Sequence, residues 1–77
     1  MISIHLERVD PERNCFRYYG IFVEENLFGD RSLVIRWGRI GRIARERIAA
    51  SGSAEQMLAR AVKLQMTKCR RGYAAMA

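Results

Sequence analysis

The stretch Ser51-Gly52-Ser53-Ala54-Glu55-Gln56-Met57-Leu58 separates two kinds of hydrophobic spacing. Before it, apolar residues recur at every second position in stretches such as Ile2-Ser3-Ile4-His5-Leu6-Glu7. After it they recur every three or four, and these spacings are those of a strand's alternation and a helix's turn. Ser53 stands three residues before Gln56, the S-x-x-Q arrangement in which a hydroxyl and a side-chain amide satisfy the free amides of a helix start. The spacing predicts a helix from Ala54 to about Arg71. On its wheel Ala54, Met57, Leu58, Ala61, Val62, Leu64 and Cys69 share a broad side, with Gln56, Arg60, Lys63, Thr67 and Arg70 on the other. Gly72 follows as a C-cap, and Lys68, Arg70 and Arg71 complement the negative helix end. A helix apolar along one side needs a surface to lie on, and the residues before it supply a sheet.

Working back toward the N-terminus, Arg42 to Ala49 shows a weak, charged alternation that predicts a fourth strand, broken by Ser51-Gly52-Ser53. Gly38 and Gly41 bracket a short corner, and Ser32 to Trp37 reads as a third strand. Glu24 to Asp30 forms a loop with turn chemistry at Gly29-Asp30, and its Leu27 and Phe28 are expected to fold back over the core. Cys15 to Val23 is rich in aromatic and β-branched residues with apolar groups on both faces, which predicts a central strand. Asp10-Pro11-Glu12-Arg13-Asn14 is a turn, because Pro11 fixes its own backbone angle and cannot donate to a ladder. Ile2, Ile4 and Leu6 alternate with Ser3, His5 and Glu7 in a first, half-buried strand. The expected architecture is α+β: an antiparallel sheet of about four strands packed by one C-terminal helix, in a single domain spanning 1–77.

The chain has 77 residues, 49% of them hydrophobic, which is enough for one small folded domain and too apolar for a disordered tail. No segment has the length and apolarity of a membrane helix, and residues 2–7 alternate where a signal peptide would be continuously apolar. The expected compartment is the cytoplasm. A domain this small buries only ~60% of its unfolded surface. Cys15 and Cys69, the two cysteines, are too few for a disulfide framework and read as small core fillers.

The net charge of +6 is unevenly placed: residues 1–30 hold three basic and six acidic side chains, residues 31–77 eleven basic and two acidic. Twelve of the fourteen cations are arginine, a bias that suits planar contact with phosphate and that a GC-rich genome also produces. Catalysis finds little support. His5 is a lone histidine on the polar side of a strand, and His5, Cys15 and Cys69 are too scattered for a metal site. Gly38-Arg39-Ile40-Gly41 lacks the glycine spacing and following helix of a phosphate loop. Its surroundings are more informative. Arg36, Arg39, Arg42, Arg45 and Arg47 crowd a twelve-residue stretch with the single tryptophan, Trp37. Arginines neutralise phosphates while an indole stacks on a base or sugar. Two readings stay open: a nucleic-acid surface, or a solvated basic face beside a tryptophan that caps the core on the parity of Leu33 and Ile35.

Trp37-Gly38-Arg39 with Ile40-Gly41 resembles the signature of the WGR domain family, found in poly(ADP-ribose) polymerases and in short bacterial proteins. Tyr18-Tyr19, Leu27-Phe28-Gly29, and Lys68 with Gly72-Tyr73 resemble further landmarks of that family in the same order, over roughly residues 15–73. The resemblance implies an antiparallel sheet with one helix and DNA binding. It also implies that Trp37 stacks on a sugar or base, that Arg39 contacts DNA or a partner domain, and that Gly38 permits close backbone approach. Tyr73 and Lys68 have structural readings as well, Tyr73 folding back on the sheet and Lys68 bonding helix-end carbonyls. The chain departs from the family pattern at Arg31-Ser32, Ala44 and Ala49-Ala50.

The expectation is thus a non-enzymatic module that binds nucleic acid, DNA foremost, by backbone-directed contacts from Trp37, Gly38, Arg39, Arg36, Arg42 and Arg45. Arg47, Lys68, Arg70 and Arg71 are secondary basic contacts. No catalytic residue, metal, cofactor, membrane or small-molecule substrate is expected. The alternative is a protein–protein interaction module using the same Trp/Arg surface.

Overall fold

In the computed structural model, which describes residues 2–76, the strand with apolar groups on both faces occupies the middle of one antiparallel sheet. Met1 and Ala77, the ends of the expected 1–77 domain, lie outside the described residues. The strands are β1 (Ile2–Asp10), β2 (Cys15–Glu25), β3 (Arg31–Arg39), β4 (Arg45–Gly52) and β5 (Ala74–Ala75), with helix α1 (Ala54–Arg70) between the last two. Their order across the sheet is β4-β3-β2-β1-β5. The architecture is the expected α+β, with five strands where about four were expected. β5 is only two residues long and pairs Ala75 with Leu6 and Ala74 with Glu7 through the backbone.

Alternation assigns the two faces. Ile4 opposite Ile21, Leu6 opposite Tyr19, Val23 opposite Leu33, and Ile21 opposite Ile35 all point toward α1. These side chains form the core with Met57 and Ala61, and Leu6, Ile21 and Ala61 are completely buried. The helix enters through the expected capping box: Gln56 N–H donates to Ser53 Oγ at 3.1 Å and Ser53 N–H to Gln56 Oε1 at 3.1 Å. Its buried side is narrower than the wheel predicted. Met57 and Ala61 are buried and Leu64 is packed against the core, while Leu58, Val62 and Cys69 are solvent-exposed. One helix on a five-stranded sheet touches it along a single stripe.

At its end α1 stops in a Schellman arrangement. Tyr73 N–H donates to Lys68 O at 3.2 Å and Gly72 N–H to Cys69 O at 3.1 Å, with Gly72 at φ +95°. Gly72 thus acts as the expected helix terminator. The chain then turns back, and Met76 N–H donates to His5 O at 2.9 Å.

Four other expectations are corrected. Leu27 and Phe28 do not cover the core; they are 99% and 91% exposed at the tip of the β2–β3 hairpin. Ser51 and Gly52 do not break β4 but pair with Ser32 and Arg31, because a bulge at Ala49 shifts the register and extends the strand. Gly38 lies within β3, opposite Tyr18, and only Gly41, at φ +83°, belongs to the corner. The cysteines are not both core fillers: Cys15 is half-buried and Cys69 exposed.

Candidate functional site

Strand register brings the signature residues and the helix end together at one end of the sheet. Trp37 stands opposite Tyr19 on one side and Arg45 on the other, and Arg39 stands opposite Arg17. Around them lies an open concavity of about 620 Å³. Arg17, Arg39, Arg42, Arg45 and Lys68 supply five cations to its lining, with no carboxylate among the lining residues. Tyr18, Tyr19, Trp37 and Tyr73 supply aromatic surface, and Gly38 and Ile43 complete it. Trp37 is half-buried: it packs on the core cluster and also faces the concavity. Trp37 is thus partly a cap on the core and partly exposed.

Arg39 is anchored. Its guanidinium donates to Asn14 O at 3.2 Å and to Asn14 Oδ1 at 3.0 Å, and it lies 5.2 Å from the centre of the Phe16 ring. Gly38 is approached by the corner that follows it: a Cβ there would lie 3.6 Å from Ile43 O and 3.7 Å from both Ala44 Cα and the Tyr18 ring. These are ordinary van der Waals contacts, so the fold itself does not demand glycine at position 38. Arg42 and Arg45 make no ion pair with any described residue.

Lys68 does not bond helix-end carbonyls through its side chain. Its ammonium sits 4.3 Å from the Tyr19 ring centre and 5.7 Å from that of Tyr73, a cation–π placement. Tyr73 folds back edge-on to Tyr19, with centroids 6.2 Å apart. Burial pushes the Lys68 ammonium below its ordinary pKa, with Arg71 adding to the effect. Burial also raises the Tyr19 phenol, opposed by Arg47 and aided by Tyr73.

The remaining predicted residues are not brought to this concavity. Arg36 alternates with Trp37 onto the face away from α1 and pairs with Glu46 at 3.8 Å. Arg47 lies opposite Ile35 and borders a neighbouring depression with Trp37 and Lys68. Arg70 and Arg71 are exposed beyond the lining. Arg17 was missed, although its strand parity with Tyr19 carried the signal. His5, on the open face, is 3.1 Å from Glu7 Oε2 and stacks on Tyr18 at 5.6 Å.

No three of the His, Cys, Asp and Glu side chains cluster as a metal site among the described residues. No helix among them is long and apolar enough to cross a membrane.

Comparison with known proteins agrees with the signature. The family model described as the WGR domain matches residues 2–77. The uncharacterized protein y4dW of Sinorhizobium fredii is 40% identical over 70 residues, covering 91% of this chain and 34% of that protein. The chain thus spans about a third of the length of that relative. No solved structure matches. With the signature in its strand and the family model spanning nearly every residue, the chain belongs to the WGR domain family.

Proposed function

We propose that this domain binds nucleic acid, DNA foremost, at the concavity beside Trp37. The observation that carries the reading is five cations and four aromatic rings around one hollow with no carboxylate among its lining residues. Phosphates compensate such a charge, and the partly exposed indole offers a face to a sugar or base. Arg42 and Arg45 make the direct phosphate contacts, and Arg39, braced by Asn14, orients the edge. Arg17 joins them, and Arg47, in the neighbouring depression, reaches the duplex flank, while Arg36 lies on the opposite face. The contacts are to the backbone, so binding is independent of sequence. Non-catalytic binding in a reducing compartment, the cytoplasm, fits the two unpaired cysteines.

The test is a fluorescence-anisotropy salt titration on intact, nicked and blunt-ended duplex. If all five cations of the hollow engage phosphate, the slope of log affinity against log salt reaches about −4.5. The reading fails if no DNA binds at low salt, or if Trp37→Ala and Arg39→Ala variants that remain folded bind like the parent. The exposed basic-aromatic edge also suits a protein partner, and a pull-down after nuclease treatment separates the two, since a protein partner persists.

A further inference from the structure

The β2–β3 hairpin holds Leu27 and Phe28 away from the body of the molecule, and the loop is built to keep them there. Asn26 Oδ1 accepts from Phe28 N–H at 2.9 Å and from Asp30 N–H at 3.1 Å. Asn26 N–H donates to Asp30 O at 3.0 Å, and its Nδ2 reaches Ser32 Oγ at 3.4 Å. One side chain therefore braces the whole tip. A braced loop has already lost much of the conformational freedom that docking would otherwise cost. Two neighbouring apolar side chains, 99% and 91% exposed on such a support, form an anchor for another surface.

The charges beside the tip select that surface. Glu24, Glu25 and Asp30 flank it; Arg31 pairs with Glu25 at 3.4 Å, and Glu24 and Asp30 make no ion pair with any described residue. Carboxylates there repel phosphate, so nucleic acid is the wrong occupant. The complementary surface is an aromatic and apolar hollow bordered by cations. The molecule carries one at the opposite end of β2, where Trp37, Tyr18 and Ile43 lie among Arg42 and Arg45. Glu25 and Tyr18 are seven positions apart on that strand, roughly 23 Å at a strand's rise. The tip cannot reach the hollow of its own chain, but the tip of a second copy can.

We infer that copies of this chain associate head to tail, with Leu27 and Phe28 of one seated against Trp37 and Ile43 of the next. Glu24 and Asp30 then face Arg42 and Arg45. The two patches are different, so the contact is heterologous and extends from copy to copy. It stands on the chemistry of the two patches alone, whether or not nucleic acid also uses the hollow.

Sedimentation velocity of the full chain over a concentration series at low salt tests it. The sedimentation coefficient is expected to rise with concentration and to fall back when salt is added. A tip variant, Leu27→Ser with Phe28→Ser, and a hollow variant, Arg42→Glu with Arg45→Glu, each stay monomeric alone. All four positions are exposed, and circular dichroism checks that each variant remains folded. Mixed in equal amounts, they form a dimer that grows no further, because only one intact tip and one intact hollow remain per pair. A parent chain that is monomeric at every concentration overturns the inference. So does association that survives either variant, or a mixture that stays monomeric.

Discussion

The Arg39 guanidinium donates to both the main-chain oxygen and the side-chain oxygen of Asn14, 25 residues earlier in the chain. Asn14 ends the turn between β1 and β2 in the left-handed region, at φ 52° and ψ 40°. Asparagine tolerates that conformation better than most residues and brings an acceptor with it. The turn therefore holds Arg39 in place at the rim of the concavity.

Asn14→Gly keeps the left-handed backbone and removes the Oδ1 acceptor, so it should cost about 1 kcal/mol or less in stability. Asn14→Ala loses the acceptor and adds left-handed strain of roughly 1–2 kcal/mol. Urea denaturation of the two variants should rank them parent, glycine, alanine. Equal stability of the glycine and alanine variants would show that the backbone at this position is not under that constraint.

The two ends of α1 are fixed by different chemistry. Ser53→Ala removes the acceptor for Gln56 N–H and should cost about 1 kcal/mol. Gly72→Ala places a Cβ at φ +95°, 3.3 Å from Arg8 Nε, and should cost at least about 1 kcal/mol. It also loosens the placement of Lys68 over the Tyr19 and Tyr73 rings. Thermal denaturation of both variants checks the costs, and the chemical shifts of the Tyr73 ring report the loosening.

Alkaline stability should depend on Tyr19 and Lys68 in opposite senses. The phenol's pKa is raised above 10.0 in the fold, first by burial, so its contribution is complete below that value and is lost as pH climbs through the folded pKa. The ammonium's pKa is lowered below 10.5, again first by burial. The unfolded chain therefore holds the extra proton between the folded value and 10.5, and stability gains with pH there. Tyr19→Phe removes only the loss. Urea midpoints measured between about pH 9 and about pH 11 should fall less steeply in that variant than in the parent. An unchanged profile would mean that Tyr19 titrates alike in both states.

Arg42 and Arg45 should each carry one phosphate contact. Replacing either with alanine is expected to make the slope of log affinity against log salt shallower by about 1. Arg60→Ala, on the exposed side of α1, is expected to leave the slope unchanged. Matching slopes for all three variants would move the DNA contact away from the concavity.

The helix and the strands were legible because each carries a side-chain pattern. Ser53 and Gln56 mark the helix start, and the alternation of Ile2, Ile4 and Leu6 or of Leu33, Ile35 and Trp37 marks a buried face. β5 had no such mark, since Ala74 and Ala75 join the sheet through backbone atoms beside β1. The end of β4 was hidden because Ser51 and Gly52 have turn chemistry, and only the bulge opposite Leu33 and Val34 brings them into register. Leu27 and Phe28 misled because apolarity alone does not reveal a loop braced outward by Asn26. At the candidate site, Arg36 was grouped with Trp37 by nearness in sequence, although neighbouring strand residues point to opposite faces. Arg17 shares the parity of Tyr19, but only the register that sets it opposite Arg39 brings it to the concavity.

Trp37 is the single tryptophan, so its emission reports the proposed site without a label. The most direct test is to titrate the chain with duplex DNA at low salt while following that emission. A saturable change is expected, reversed by added salt and weakened in a variant carrying both Arg42→Ala and Arg45→Ala. DNA binding confirmed by anisotropy while the Trp37 emission stays constant would contradict the placement of the site. No binding by either signal would contradict the function.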